Sequence, residues 1–103
     1  MATTCVNSYY IFPDSAKECL AEVLVEHPTH GAIACIAGGA LSQDDSASHI
    51  SIGFHDALID GGVRTLGEAM SGGHLRAFAM GFDASLELTF YQIFGDPGLI
   101  VNP

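Results

Sequence analysis

Basic side chains are scarce in this chain: three Lys and Arg residues face twelve Asp and Glu over 103 residues, a formal charge of −9. Such a balance repels phosphate backbones and anionic lipid, which argues against nucleic-acid binding and against docking on a membrane surface. Long apolar runs are also missing. The longest nearly apolar stretch, Gly31 to Leu41, falls far short of the roughly 20 residues that cross a bilayer as a helix. The opening residues Met1-Ala2-Thr3-Thr4-Cys5 have neither a basic n-region nor a continuous apolar h-region, so no signal peptide is expected in this sequence. Cys5, Cys19 and Cys35 form an odd set without Cys-x-x-Cys spacing. That argues against a disulfide framework and a cysteine zinc knuckle, and leaves at least one thiol free. No internal repeat, low-complexity tract or linker interrupts residues 1–103, which amount to one domain or part of one.

Hydrophobic residues make up 49% of the chain and charged ones only 15%, with a mean hydropathy of +0.34, so a buried core is expected. Residues 3 to 12 read as a strand end followed by a loop at Asn7-Ser8. Ser15-x-x-Glu18 has the form of a capping box and predicts a helix whose inward stripe is Ala16, Cys19, Leu20, Val23 and Leu24, stopped by His27-Pro28. Gly31 to Gly38 suits a central strand covered on both faces, as in parallel sheets. Strand, helix and strand in about 35 residues then make a right-handed βαβ unit. The polar stretch Ser42 to Ser48 reads as a loop at the strand's carboxyl end, where open α/β sheets meet ligands.

A second helix is expected through Ile50, Phe54, Ala57 and Leu58, ending at Asp60-Gly61-Gly62. Thr65-x-x-Glu68 opens a third, with Leu66, Ala69 and Met70 inward and a break at Ser71-Gly72-Gly73. Asp83 is the expected cap of a last helix bearing Leu86, Phe90, Ile93 and Phe94. Gly95-Asp96-Pro97-Gly98 is a turn, and Leu99 to Val101 a short terminal strand.

Five blocks now carry a resemblance: Thr4-Cys5-Val6-Asn7, Leu20-Ala21-Glu22-Val23-Leu24, Gly31-Ala32-Ile33-Ala34, Arg64-Thr65-Leu66-Gly67-Glu68-Ala69 and Phe94-Gly95-Asp96-Pro97-Gly98-Leu99. In this order and at these separations the chain resembles the gingipain-type cysteine peptidases over nearly its whole length. The resemblance implies an α/β fold, a caspase-like three-layer α/β/α arrangement with a mainly parallel sheet, of which this chain is the carboxyl portion: a βαβ unit, then helices, then a short terminal strand. It also implies that Cys5 is the nucleophile and that its backbone N–H helps hold the oxyanion formed on a peptide carbonyl. The family's histidine base precedes the nucleophile in sequence, whereas His27, His30, His49, His55 and His74 all follow Cys5. The base, and the acidic residue that selects a basic side chain in gingipains, are therefore expected outside this chain, which would be inactive alone. Where the gingipain motif continues Cys-Val-Asn-Gly-Asp, this chain has Ser8 and Tyr9, a bulkier loop beside the thiol. The segment Gly39 to His49 matches the wall of the primary specificity pocket and carries Gln43, Asp44 and Asp45 but no aromatic ring.

Plainer readings stand beside these. Buried free cysteines are usually inert small hydrophobes, which is the reading for Cys19 and Cys35. His27-x-x-His30 reads as a pair of solvated loop histidines, since Pro28 spoils the regular geometry two helical metal ligands need. The resemblance allows calcium, and Asp44-Asp45 is the acidic pair available, yet no Asp-x-Asp-x-Asp loop occurs and a solvated loop is expected. Asp96 reads as a turn residue. A second function class is a noncatalytic α/β binding or assembly module that keeps the fold and has lost the chemistry. Both readings predict self-association, or completion by an upstream segment, through an open sheet edge. An extracellular or cell-surface location would follow if the chain is part of a secreted precursor.

Overall fold

The computed structural model describes residues 8–9, 18–41, 43–82 and 90–101. The elements are α1 (Leu20–Glu26), β1 (Cys35–Gly38), α2 (Asp44–Ile59), α3 (Leu66–Ala79) and β2 (Tyr91–Phe94). Among the described residues no helix is long and apolar enough to cross a membrane.

Helix α1 begins one turn later than expected. Glu18 is exposed and nonhelical, Ser15 lies outside the described residues, and the capping box has moved to Cys19-x-x-Glu22. The Glu22 carboxylate accepts the Cys19 backbone N–H at 2.8 Å, and the sulfur faces the Glu22 N–H as a serine oxygen would. The buried face is also different. Cys19 and Ala21 pack with Ala37 and against Cys35 and Phe94, while Leu20, Val23 and Leu24, expected inward, are exposed. Small side chains fit here because α1 lies directly on the backbone of the sheet.

Strand β1 is shorter than the expected Gly31 to Gly38. Ala32 donates its N–H to the Leu24 carbonyl at 2.7 Å, folding this stretch back on the end of α1. The described sheet has two strands, β1 and β2, paired antiparallel with Cys35 opposite Phe94, Ile36 opposite Ile93, Ala37 opposite Gln92 and Gly38 opposite Tyr91. The expected last helix is thus corrected over Tyr91–Phe94, which is strand; Asp83 and Leu86 lie outside the described residues. Aromatic and β-branched residues at alternate positions satisfy the strand period once a partner backbone is present. The strand expected near residues 3 to 6, which would pair in parallel, also lies outside the described residues, so a mainly parallel sheet is not what the described strands form.

The pleat divides the core. Ile36, Tyr91 and Ile93 face α2 and α3 and join Ile50, Phe54, Leu66, Ala69, Met70 and Ala77. Cys35, Ala37 and Phe94 face α1. Helices thus cover both faces of the small sheet. Ile50 is wholly buried, and burying a side chain of that size contributes about 1.5–3 kcal/mol.

Helix α2 starts at Asp44, six residues ahead of the expected apolar stripe, so Ser42 to Ser48 is not all loop. Its serines turn inward on the helix backbone: Ser46 Oγ donates to the Gln43 carbonyl at 2.9 Å and Ser48 Oγ to the Asp44 carbonyl at 2.8 Å. Helix α3 is continuous through Ser71-Gly72-Gly73, where a break is expected. A Cβ on Gly73 would lie 2.5 Å from the Ile50 carbonyl oxygen, and one on Gly72 would lie 2.7 Å from Ala57 Cβ. These glycines let α3 approach α2 closely, and the packing offsets their poor helix propensity.

The capping box at Thr65 and Glu68 is present as expected. The chain's end closes over it: Leu66 N–H donates to the Leu99 carbonyl at 3.1 Å, Gly67 N–H to Pro97 at 2.8 Å, and Val101 N–H to Arg64 at 2.8 Å. Leu99 to Val101 is therefore extended, yet it bridges to Thr65 at Ile100 rather than joining the sheet. Asp96 serves the turn before it, accepting the Gly98 N–H at 2.8 Å, as expected.

Candidate functional site

Three distant parts of the sequence meet at the carboxyl end of β1. The antiparallel ladder runs past the named strands, because the Gly39 N–H donates to the Phe90 carbonyl at 2.7 Å. Ser8, from the start of the chain, is held there. Its backbone N–H donates to the Gly38 carbonyl at 3.0 Å and its hydroxyl to the Ala37 carbonyl at 2.9 Å. The Gln92 side-chain amide donates to the Ser8 carbonyl at 3.0 Å and to the Ser8 hydroxyl oxygen at 3.2 Å.

The donor directions are forced. A serine hydroxyl has one proton, spent here on Ala37, so toward Gln92 it can only accept. The Gln92 amide nitrogen thus donates to two oxygens of Ser8, which is itself fully buried. Gly39 makes room for this contact, since a Cβ there would stand 2.5 Å from Gln92 Nε2. Neither Gln92 nor Gly39 stands out as a site residue by composition. The signal available in the sequence is Gln92 itself, a lone polar residue between Tyr91 and Ile93 in an alternating apolar run.

Cys5, the expected nucleophile, lies outside the described residues. The other two cysteines are placed as expected for core residues. Cys19 is buried at the start of α1, and burial pushes its thiol above the ordinary cysteine value, which keeps it protonated and unreactive near neutrality. Cys35 is half-buried in β1.

The histidines are dispersed. His27 and His30 are exposed beyond α1, with rings stacked 5.9 Å apart and His27 Nδ1 accepting the His30 N–H at 3.1 Å. That is a turn cap, made by Nδ1. His49 packs on Phe82 at 5.5 Å. His55 Nδ1 donates to the Ser51 carbonyl at 2.7 Å. His74 is half-buried on α3; burial pushes its pKa below the ordinary value, and its Nε2 has no hydrogen-bond partner among the described residues. None of the five appears in the hydrogen bonds that hold Ser8.

Asp44 and Asp45 are exposed in the first turn of α2, not in a loop, and there their charges complement the positive end of the helix. Among the described residues no three His, Cys, Asp or Glu side chains are gathered as metal ligands.

The arrangement seats Ser8 at the carboxyl end of β1, between β1 and the Gln92 amide. No curated protein and no solved structure matches the chain. The family model of peptidase family C25, in contrast, matches residues 1–102, a span that takes in Cys5, Ser8, Gly39 and Gln92. With nearly every residue inside that match, the chain belongs to peptidase family C25, the gingipain family of cysteine peptidases.

Proposed function

We propose that this chain supplies the nucleophile-bearing part of a gingipain-type cysteine endopeptidase with a caspase-like sheet, acting on peptide or protein substrates through Cys5. The observation that carries the reading is the family match across residues 1–102, which includes Cys5 in its Cys-Val-Asn context. The Ser8 anchor supports it. Ser8 follows Cys5 by three residues in the sequence and is anchored at the carboxyl end of β1, the edge at which open α/β sheets build their sites.

In this reading the Cys5 thiolate adds to the scissile carbonyl carbon, and the developing oxyanion takes the Cys5 backbone N–H. The carbon–nitrogen bond then breaks, the leaving amine takes a proton from an imidazolium, and water hydrolyses the thioester. The imidazole comes from a segment outside residues 1–103. Without it, general base and general acid are lost together, and the chain by itself has no enzymatic turnover.

The test is active-site titration with a peptidyl acyloxymethyl ketone on the full-length protein and on residues 1–103 alone. The full-length protein should take up one equivalent at Cys5, abolished by Cys5→Ala, and the isolated chain should take up none at a comparable rate. Stoichiometric labelling of the isolated chain, or activity surviving Cys5→Ala, refutes the reading.

A noncatalytic assembly module is the second reading. It is favoured by apolar side chains left exposed: Leu20, Val23 and Leu24 on α1, and Leu75 and Phe78 on α3 beside a shallow hollow of about 330 Å³. It predicts self-association and an ordinary thiol at Cys5, ionising near pH 8.5.

A further inference from the structure

We propose that Gln92 is a positioning residue for the nucleophile, acting through Ser8. The inference rests on the reading of Cys5 as nucleophile and adds a residue 87 positions away in sequence. Gln92 reaches no reacting atom in this proposal. It holds the chain that carries the thiol.

The geometry carries the argument. Ser8 is the third residue after Cys5 and is fixed by four described hydrogen bonds, of which the two from Gln92 are the ones that another residue's side chain supplies. The other two, from Ser8 to Gly38 and Ala37, attach the segment to β1. The Gln92 amide closes the far side by tying Ser8 to β2. Ser8 O and Ser8 Oγ both present lone pairs to this contact, and the Gln92 amide nitrogen donates to both, at 3.0 and 3.2 Å. A leucine of similar size leaves both acceptors buried without that donor. A glutamate carboxylate sets negative charge against two lone pairs at neutral pH, and can donate one bond to the Ser8 carbonyl only when protonated. The Ser8 hydroxyl therefore has a structural use, joining the Ala37 carbonyl to the Gln92 amide.

Displacement of a catalytic group by about 1 Å can cost about 100-fold in rate. A positioning role accordingly predicts a loss in kcat with little change in KM. It also predicts that the Cys5 thiol loses contact with the imidazolium that lowers its pKa, so that the pH midpoint of alkylation rises toward about 8.5.

The experiment uses the full-length protein with Gln92→Leu, Gln92→Glu and Ser8→Ala. Steady-state hydrolysis of a peptide substrate is measured alongside the pH profile of iodoacetamide labelling at Cys5, read by peptide mass spectrometry so that Cys19 and Cys35 are scored apart. Gln92→Leu should lower kcat about 10- to 100-fold, leave KM within about twofold, and raise the labelling midpoint. Gln92→Glu should be at least as impaired at neutral pH and recover relative to wild type as pH falls. Ser8→Ala should reproduce the direction with a smaller loss, and decides the matter if Gln92→Leu does not fold.

A wild-type labelling midpoint well below pH 8 that none of the three variants moves, with kcat retained, overturns this inference alone. An ordinary wild-type midpoint, or activity that survives Cys5→Ala, overturns the underlying reading as well.

Discussion

Gly73→Ala tests whether helix propensity or packing controls α3. In an exposed helix the change would stabilise by about 0.5–1 kcal/mol, because alanine loses less backbone entropy. Here the new Cβ would sit 2.5 Å from the Ile50 carbonyl oxygen and 3.2 Å from Ile50 Cγ2. Ordinary carbon–oxygen contacts are about 3.3–3.6 Å, so α3 must retreat from α2 by nearly an ångström, and the obstacle is backbone that cannot rotate away. Ile50, Phe54, Met70 and Ala77 share that interface. Overpacking of this kind costs about 1–3 kcal/mol, which set against the propensity gain of about 0.5–1 kcal/mol leaves a net loss of up to about 2.5 kcal/mol. Urea unfolding followed by circular dichroism should show a lower midpoint at an unchanged slope. Ser71→Ala is the matched control. That exposed hydroxyl only donates to the Gly67 carbonyl at 3.0 Å, so its removal should be neutral or stabilise by a few tenths of a kcal/mol. If Gly73→Ala is as stable as wild type or more so, the close approach of the two helices is wrong.

Other consequences follow from individual contacts. Gly39→Ala should push the Gln92 amide off Ser8, since its Cβ would stand 2.5 Å from Nε2; the loss of two hydrogen bonds predicts about 1–3 kcal/mol of destabilisation, and unchanged unfolding would refute it. Burial holds the His74 pKa down, so its neutral form is favoured in the folded state. The stability this contributes is complete above about pH 6.5, the ordinary histidine value, and is lost as pH falls below it, because the unfolded chain takes up a proton that the folded ring resists. His74→Gln should flatten the stability profile in that window, and a profile identical to wild type would discard the assignment. Thr65→Ala removes the cap on α3, where Thr65 Oγ1 accepts the Glu68 N–H at 3.3 Å, and should cost about 1 kcal/mol at neutral pH. The same hydroxyl is the first cause holding the Glu68 carboxyl below its ordinary value. Stability from that carboxylate is present above its ordinary range and fades as pH falls through the depressed value, so acid unfolding of Thr65→Ala should show a shallower loss over this range.

Much of the helical content is legible along the chain. Thr65-x-x-Glu68, the stop at Asp60-Gly61-Gly62 and the Gly95-Asp96-Pro97-Gly98 turn are all short-range patterns whose hydrogen bonds close within a few residues. The misplacements have a common cause. Ser15-x-x-Glu18 and Cys19-x-x-Glu22 offer two capping boxes one turn apart, and burial of Cys19 and Ala21 against Ala37 goes with the second. Gly72-Gly73 breaks an isolated helix and permits a packed one. Phe90 to Phe94 has apolar residues that suit either period, and pairing with β1 selects the strand. Ser8 reads as a bulky loop residue because its partners, Gly38, Ala37 and Gln92, lie about 30 and more than 80 positions away.

Composition and motif order suffice for the acidic, core-forming character of the chain and for its family. Charge, hydropathy and a linear series of blocks are properties a sequence carries without folding, and the family match spans residues 1–102. The antiparallel partner of β1, the exposed outer face of α1 and the seat of Ser8 under the Gln92 amide depend on which distant backbone arrives alongside. Each is settled by long-range hydrogen bonds and by how closely two surfaces can approach, and neither quantity is written in any local stretch of residues.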